Sequence, residues 1–395
     1  MPRQILVITY WSFRDALIQT YTLPYLRILR DQLPPGSRIY LLTLERENAT
    51  AEEQEAEHGI FHFSFPLHAF GARAAIGWWK RIRSLKQFIR AKKIDTIHTW
   101  CTPAGGIGWW LSKKTGVPLV LDSYEPHAEA MVETGTWKKG GIAYRVLFYL
   151  EKKQTHHARW LIGVVPGMKA YAAEKYGYRG DNFFTKPACI DLQQFDLPKR
   201  KNTALLEQLG LTKKIVGVYA GKFGGLYLRE ETFRFFKACF DHWGDKFRVL
   251  LLTSAKREEI DALCVSQGVD TKKVISVFVP HHEMPDYLGL ADFAFSAFKP
   301  VPSRKYCTPI KNGEYWAMGL PVVLPDGIST DSEIVSANDA GYVLKNLSDN
   351  EMKSAVLHVD ALLQQSHLHG RIHSLAEKYR NFKIAEDIYR KIYSA

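Results

Sequence analysis

Residues 299–326 read KPVPSRKYCTPIKNGEYWAMGLPVVLPD. The stretch divides into a loop, a short helix and an apolar strand. Thr308 suits an N-cap and Pro309 the first helical position. The spacing predicts a helix from about Ile310 to Met318, stopped by Gly319 in a left-handed C′ conformation. Pro321 then opens a short apolar run bounded by breakers, the pattern of a parallel strand covered on both faces. A helix start offers free backbone N–H groups and the positive end of the peptide dipole. Lys311 stands in that first turn, where a cation is disfavoured unless an anion offsets it. Glu314 follows three residues on, on nearly the same face. Phosphate on the N–H groups and Lys311, with a ribose diol on Glu314, would use all of these groups.

The same alternation runs through the second half. Lys214–Ala220, Arg248–Thr253, Val274–Val279 and Phe293–Ser296 read as strands interleaved with helices. Gly221, Gly224 and Gly225 follow the first of these strands, and a helix begins near Arg229. Glycines there let backbone approach a pyrophosphate closely, and Lys222 and Arg229 supply charge beside it. The pattern over 350–392 predicts several further helices. The first half alternates too, with strands at 4–10, 38–44, 60–65, 95–100, 118–122 and 160–165. This predicts a doubly wound α/β domain in each half. Ligand then belongs outside the carboxyl ends of the strands. One such end carries Asp122-Ser-Tyr-Glu125-Pro-His127, where Glu125 or His127 could accept a hydrogen bond from a ligand hydroxyl. His98, at the end of the preceding strand, is a lesser candidate.

The order Lys311, Glu314, Ala317-Met-Gly-Leu-Pro-Val-Val323 resembles the donor segment of retaining glycosyltransferases of the GT-B fold, glycosyltransferase family 4 in particular. Val165-Pro-Gly-Met168 and Pro187–Phe195 resemble further segments of that family. The resemblance implies two Rossmann-like doubly wound domains facing across a cleft. It implies an acceptor-binding domain over 1–197, a nucleotide-sugar domain over 203–380 after a polar linker at 199–202, and a last helix, 381–395, returning to the first domain. The donor set it implies is Gly221, Lys222, Arg229, Tyr306, Thr308, Lys311 and Glu314. Tyr306 stands where the family has a Glu against the donor sugar. Aligned strictly, Tyr124 takes the place of a family His that points into the cleft, with His127 three residues on; His127 and Glu125 are the catalytic candidates. The reaction so implied is metal-independent transfer of a sugar from a nucleoside-diphosphate donor to a glycan or lipid-linked hydroxyl, in surface polysaccharide or glycoconjugate synthesis. No cofactor is expected beyond the donor itself. Two other readings fit the same fold: a non-catalytic subunit that binds a nucleotide sugar, and a nucleotide-sugar epimerase.

Composition narrows the setting. At 395 residues the chain exceeds one ordinary core. No apolar run is long enough to span a bilayer, and the N-terminus enters a strand at once, without a signal-peptide pattern. Five scattered cysteines with no CxxC pair read as reduced thiols. These features predict a cytoplasmic protein. The net charge of +12 favours anionic partners. Residues 73–93, RAAIGWWKRIRSLKQFIRAKK, place Trp79, Ile82, Leu85 and Ile89 at helical spacing among basic residues, with no acid. That pattern suits peripheral contact with an anionic membrane, at its inner face. Nucleic acid is not expected as a partner, since no recognition module is present.

Overall fold

The structure, a computed structural model, describes residues 1–46, 49–66 and 72–394, and the side chains of these except 72–80. The chain divides into two compact units, Met1–Pro187 with Lys383–Ala395, and Ala188–Phe382.

The first unit holds an eight-stranded sheet: β1 (Gln4–Ile8), β2 (Arg38–Glu45), β3 (Gln54–Glu57), β4 (Ile60–Pro66), β5 (Thr96–Trp100), β6 (Leu119–Tyr124), β7 (Trp160–Gly163) and β8 (Phe183–Thr185). Their order is β3-β4-β2-β1-β5-β6-β7-β8. All pairs are parallel except β3 with β4. Ile5 to Ile8 and Leu41 and Leu42 have no solvent exposure. Such strands are apolar along their length because helices cover both faces. The helices of this half are α1 (Leu23–Asp31), α2 (Ala72–Ala91), α3 (Cys101–Thr115), α4 (His127–Glu133), α5 (Ile142–His157) and α6 (Gly167–Tyr176). The apolar stripe in the second half of α2 turns inward. Leu85 and Ile89 are buried, and Phe88 stacks on Phe63 with ring centroids 4.8 Å apart. That part of the 73–93 segment is packed on the sheet. Trp79 and the other side chains up to Lys80 lie outside the described residues.

The second unit holds six parallel strands: β9 (Ile215–Ala220), β10 (Phe247–Leu252), β11 (Val274–Val277), β12 (Phe293–Phe295), β13 (Val322–Pro325) and β14 (Gly341–Leu344), in the order β11-β10-β9-β12-β13-β14. Its helices are α7 (Thr203–Gln208), α8 (Glu230–Trp243), α9 (Arg257–Ser266), α10 (Met284–Leu288), α11 (Ile310–Ala317), α12 (Asp331–Ala337), α13 (Asp349–Leu363) and α14 (Leu368–Arg380). Residues 197–202 lie in this unit as a 3₁₀ turn and the N-cap of α7, where the Asn202 side chain accepts from Leu205 N. The stretch quoted at the outset becomes α11 followed by β13. Gly319 has φ +65°, and a Cβ there would lie 2.7 Å from the His369 carbonyl oxygen, so conformation and space both call for glycine. The N-terminal cap differs from expectation. Pro309 occupies the cap position and no side chain caps the helix. The Thr308 hydroxyl accepts instead from Ala188 N, at 2.9 Å, and from the Arg380 guanidinium.

After α14 the chain enters α15 (Lys383–Tyr393), which belongs to the first unit. Tyr389 donates to Asp122 Oδ2 at 2.8 Å. The Tyr393 hydroxyl lies 2.6 Å from His98 Nδ1.

Candidate functional site

In the second unit strand order reverses between β9 and β12, and a doubly wound sheet opens a crevice at such a point. The glycine-rich loop follows β9, and the segment leading to α11 follows β12. Backbone bonds tie them together. Leu228 N donates to Ala297 O at 2.6 Å, and Lys299 N to Leu226 O at 3.0 Å. The Tyr315 hydroxyl, on α11, accepts from Ala220 N at 2.9 Å. Gly221, Lys222, Lys311 and Glu314 are therefore carried by directly bonded elements. Gly224 and Gly225 have φ +78° and +60°, with open space where a Cβ would be. The Lys222 side chain is exposed, and its carbonyl accepts from Tyr219 Oη.

Glu314 is almost fully buried, its side chain 1% exposed. Lys311 Nζ donates to Oε2 at 3.0 Å, and His281 Nε2 lies 3.3 Å from Oε1. Burial opposes the carboxylate, but Lys311 and His281 outweigh it and hold its pKa below the usual range. Both oxygens are occupied, so a ribose diol reaches Glu314 only by replacing one of these partners. Lys311 and His281 keep about a third of their own surface open, 31% and 32%.

Arg229 is less available than its position suggests. It pairs with Glu259 at 3.1 Å and approaches Glu230 at 3.9 Å. Tyr306 ends a 3₁₀ turn and is half-buried, with the Lys305 ammonium 4.9 Å from its ring centroid. Arg304, in the same turn, is 7% exposed. Among the described residues no carboxylate lies within ion-pair distance of it, and its Nε has no hydrogen-bond partner. Arg380 braces α11 from behind. It pairs with the buried Asp331, which accepts from Asn312 Nδ2 at 2.8 Å.

In the first unit Glu125 and His127 lie at the end of β6, both half-buried, with His127 N donating to Glu125 O at 2.9 Å. Tyr124 faces the core instead, its hydroxyl 2.7 Å from Thr155 Oγ1. Glu151 of α5 supports this turn. Its Oε1 accepts from Ala128 N at 3.0 Å and from Thr102 Oγ1 at 3.1 Å, and its Oε2 accepts from Tyr176 Oη at 2.9 Å. Burial pushes its pKa up to about 7 against those bonds. His98 is buried beside Asp122 at 3.2 Å. Lys186 completes this cluster, 3.2 Å from Asp122 and 3.5 Å from the Tyr25 ring centroid. Burial disfavours charge on Asp122, yet Lys186 and His98 keep its pKa low. This is a core ion pair and not an open site.

Residues 18–187 match the model of the glycosyl transferase 4-like domain. Over nearly the whole chain the structure is similar to three solved glycosyltransferase-type folds. Sucrose-phosphate synthase from Thermosynechococcus elongatus superposes with TM-score 0.74 at 15% identity, covering 99% of each chain. HepE from Anabaena, in complex with UDP and glucose, gives 0.72 at 14%, covering 100% of each. WaaG, a glycosyltransferase involved in lipopolysaccharide biosynthesis, gives 0.70 at 13%, covering 99% of this chain and 100% of that one. The chain has the GT-B fold. No curated protein matches this chain in sequence. Among its described residues no helix is long and apolar enough to cross a membrane.

His281, Arg304 and Arg380 escaped the sequence reading of this chain. His281 meets Glu314 from 33 positions away, and Arg380 meets Asp331 from 49. No local spacing carries such pairs.

Proposed function

We propose that the protein transfers a sugar, with retention, from a nucleoside-diphosphate donor to a hydroxyl of a glycan or lipid-linked acceptor in surface polysaccharide or glycoconjugate synthesis. The observation that carries this reading is the join of α11 to the end of β9. It holds Lys311, Glu314 and the glycine-rich loop at one switch point. Lys311 and Lys222 take the diphosphate, and Gly221 lets backbone approach it. Arg229 contributes once its bond to Glu259 loosens. Thr308 and Tyr306 flank the sugar end. The ribose replaces His281 at Oε1 of Glu314, the longer of its two contacts. HepE, of the same fold, is seen with UDP and with UDP-glucose, which supports a nucleotide sugar as donor.

In the transfer the bond from the anomeric carbon to the diphosphate oxygen breaks as the acceptor oxygen bonds to that carbon on the same face. The acceptor proton passes to the departing phosphate oxygen. Lys222 and Lys311 offset the charge that develops there, a role a divalent ion fills elsewhere. Glu125 or His127 orients the acceptor or a sugar hydroxyl. The basic residues of 73–93 favour an anionic membrane surface as the place where a lipid-linked acceptor is met.

Calorimetry on Lys311→Ala tests the donor site. Affinity for a nucleoside diphosphate should fall by roughly 1.5–3 kcal/mol, the worth of one charged hydrogen bond, while affinity for the nucleoside hardly changes. Equal losses for both would remove Lys311 from the phosphate. Tyr306, standing in place of the family's Glu, keeps the non-catalytic reading in play. Product formed from donor and acceptor by the wild type, and lost in Lys222→Ala, decides against it.

A further inference from the structure

The three helices α2, α3 and α5 are neighbours in one layer on the first sheet. Right-handed crossovers from β4 to β5, β5 to β6 and β6 to β7 all run the same way along the sheet, which puts their helices on one face. Helix α1 departs in the other direction and contacts α15. The layer is strongly basic. Six Lys or Arg lie on α2, two on α3 and three on α5. The single acid among them, Glu151, is buried. Most of the net charge of +12 thus lies in one layer.

Helix α5 carries apolar side chains on its outward face as well as its inward one. The inward face buries Leu147 together with the polar Glu151, Gln154 and Thr155. Its outward face exposes Ile142 (84%), Val146 (44%) and Tyr149 (54%). These stand at i, i+4 and i+7, one continuous stripe. Among the described residues the other exposed large hydrophobic side chains beyond Met1 (Val265, Phe278 and Leu357) are scattered singly on separate elements. Arg145, Lys152 and Lys153 edge the stripe and are exposed, as are Lys138 and Lys139 in the turn before it. The Lys153 ammonium sits 5.3 Å from the Tyr149 ring centroid.

We infer that this face of the first unit docks on an anionic phospholipid surface, with Ile142, Val146 and Tyr149 entering the headgroup layer and the lysines and Arg145 meeting lipid phosphates. The charge on the page selects that occupant. An aliphatic stripe with a tyrosine, edged by long cationic side chains, matches a bilayer interface, where apolar depth and negative surface occur together. A nucleic acid would use the cations and leave Ile142 and Val146 in water. The assignment extends the membrane contact of the proposed function and rests on that reading for its purpose. It differs in placing insertion on α5, because the described apolar side chains Leu85 and Ile89 of α2 are already buried.

The test is co-sedimentation of the full chain with phosphatidylcholine vesicles, with and without phosphatidylglycerol, beside calorimetry of UDP binding on the same samples. Wild type should partition onto anionic vesicles only, and less at high salt. Ile142→Ser with Val146→Ser and Tyr149→Ser should lower the partition about tenfold. Lys152→Ala with Lys153→Ala should lower it roughly fivefold for each charge removed. Leu357→Ser, an isolated exposed residue of the second unit, should leave it unchanged. UDP affinity and thermal unfolding should be the same in all four proteins, which separates a lost surface from a lost fold. Absence of wild-type partition, equal partition onto neutral vesicles, full partition of the triple serine variant, or capture by single-stranded DNA alone would each overturn the assignment. Loss of UDP binding with partition intact would overturn the donor reading and leave this surface standing.

Discussion

Glu314 shows how a carboxylate can organise its neighbours while touching almost no solvent. Its two oxygens hold Lys311 and His281 in place, and those two side chains are the ones with surface to offer. Because the ribose displaces His281 from Oε1, His281→Ala should strengthen nucleotide binding by about 1 kcal/mol, one ordinary hydrogen bond that no longer has to break, and leave the melting temperature nearly unchanged. Glu314→Ala should lower both, because it removes a buried partner from two groups. A calorimetric titration beside a thermal melt separates the two patterns. Glu151 gives a pH dependence whose sign can be worked out. Its folded pKa, about 7, lies above the ordinary carboxylate value. The native state therefore holds a proton that the unfolded state releases. Stability from this group is full below the ordinary value and is lost as pH rises to about 7. Glu129 is the nearby acid that adds to the rise, and Thr102, Ala128 and Tyr176 work against it. Glu151→Gln should gain about 3 kcal/mol on the wild type between acid and neutral pH, read from urea unfolding at each pH. A constant difference across that range would mean that the carboxyl titrates alike in the folded and unfolded states. Lys311 and Glu314 were legible because they share one helix turn. His281 and Arg304 were not, since nothing local to either residue records its surroundings.

Helix α11 and strand β13 follow the sequence closely because each boundary has a local cause: proline at the entry, glycine at the exit, full burial of the strand. The missed cap at Thr308 has a cause too. A hydroxyl that could cap the helix found a backbone N–H and a guanidinium from distant segments instead. Gly319→Ala tests the exit. Positive φ and the His369 carbonyl should together make it cost more than about 1 kcal/mol in urea unfolding. The strands that sequence reading passed over, β3, β8 and β14, are all outermost in their sheets. Strand β3, Gln-Glu-Ala-Glu, is largely exposed, and β8 has no fully buried residue. Apolar runs mark strands covered on both faces, so edge strands leave a weak trace. The basic pattern of α2 leaves a choice of a different kind. The same spacing of Leu85 and Ile89 serves a membrane face or a sheet face equally, and only packing distinguishes them.

Two alternating halves were enough to read two doubly wound units, since strand burial and crossover chirality leave few other arrangements. What no alternation records is that the first unit is built from two separate lengths of chain. Asp122 and Lys186 come from the first length, and Tyr389 and Tyr393 from the second. Lys186→Met should leave Asp122 buried without its cation and cost the first unit about 3–5 kcal/mol. Calorimetric scanning should show one transition moved down and the second unit's transition in place. A single shifted transition would mean that the two units melt together.

That construction also sets the order of events during synthesis. A ribosome releases Asp122 and Lys186 early, then must extrude the whole of 188–382 before the tyrosines that cover them emerge. For that interval the nascent first sheet carries a charged, aromatic-lined gap that water or a chaperone must fill. Maturation of the early half is thus timed by the translation of the late one.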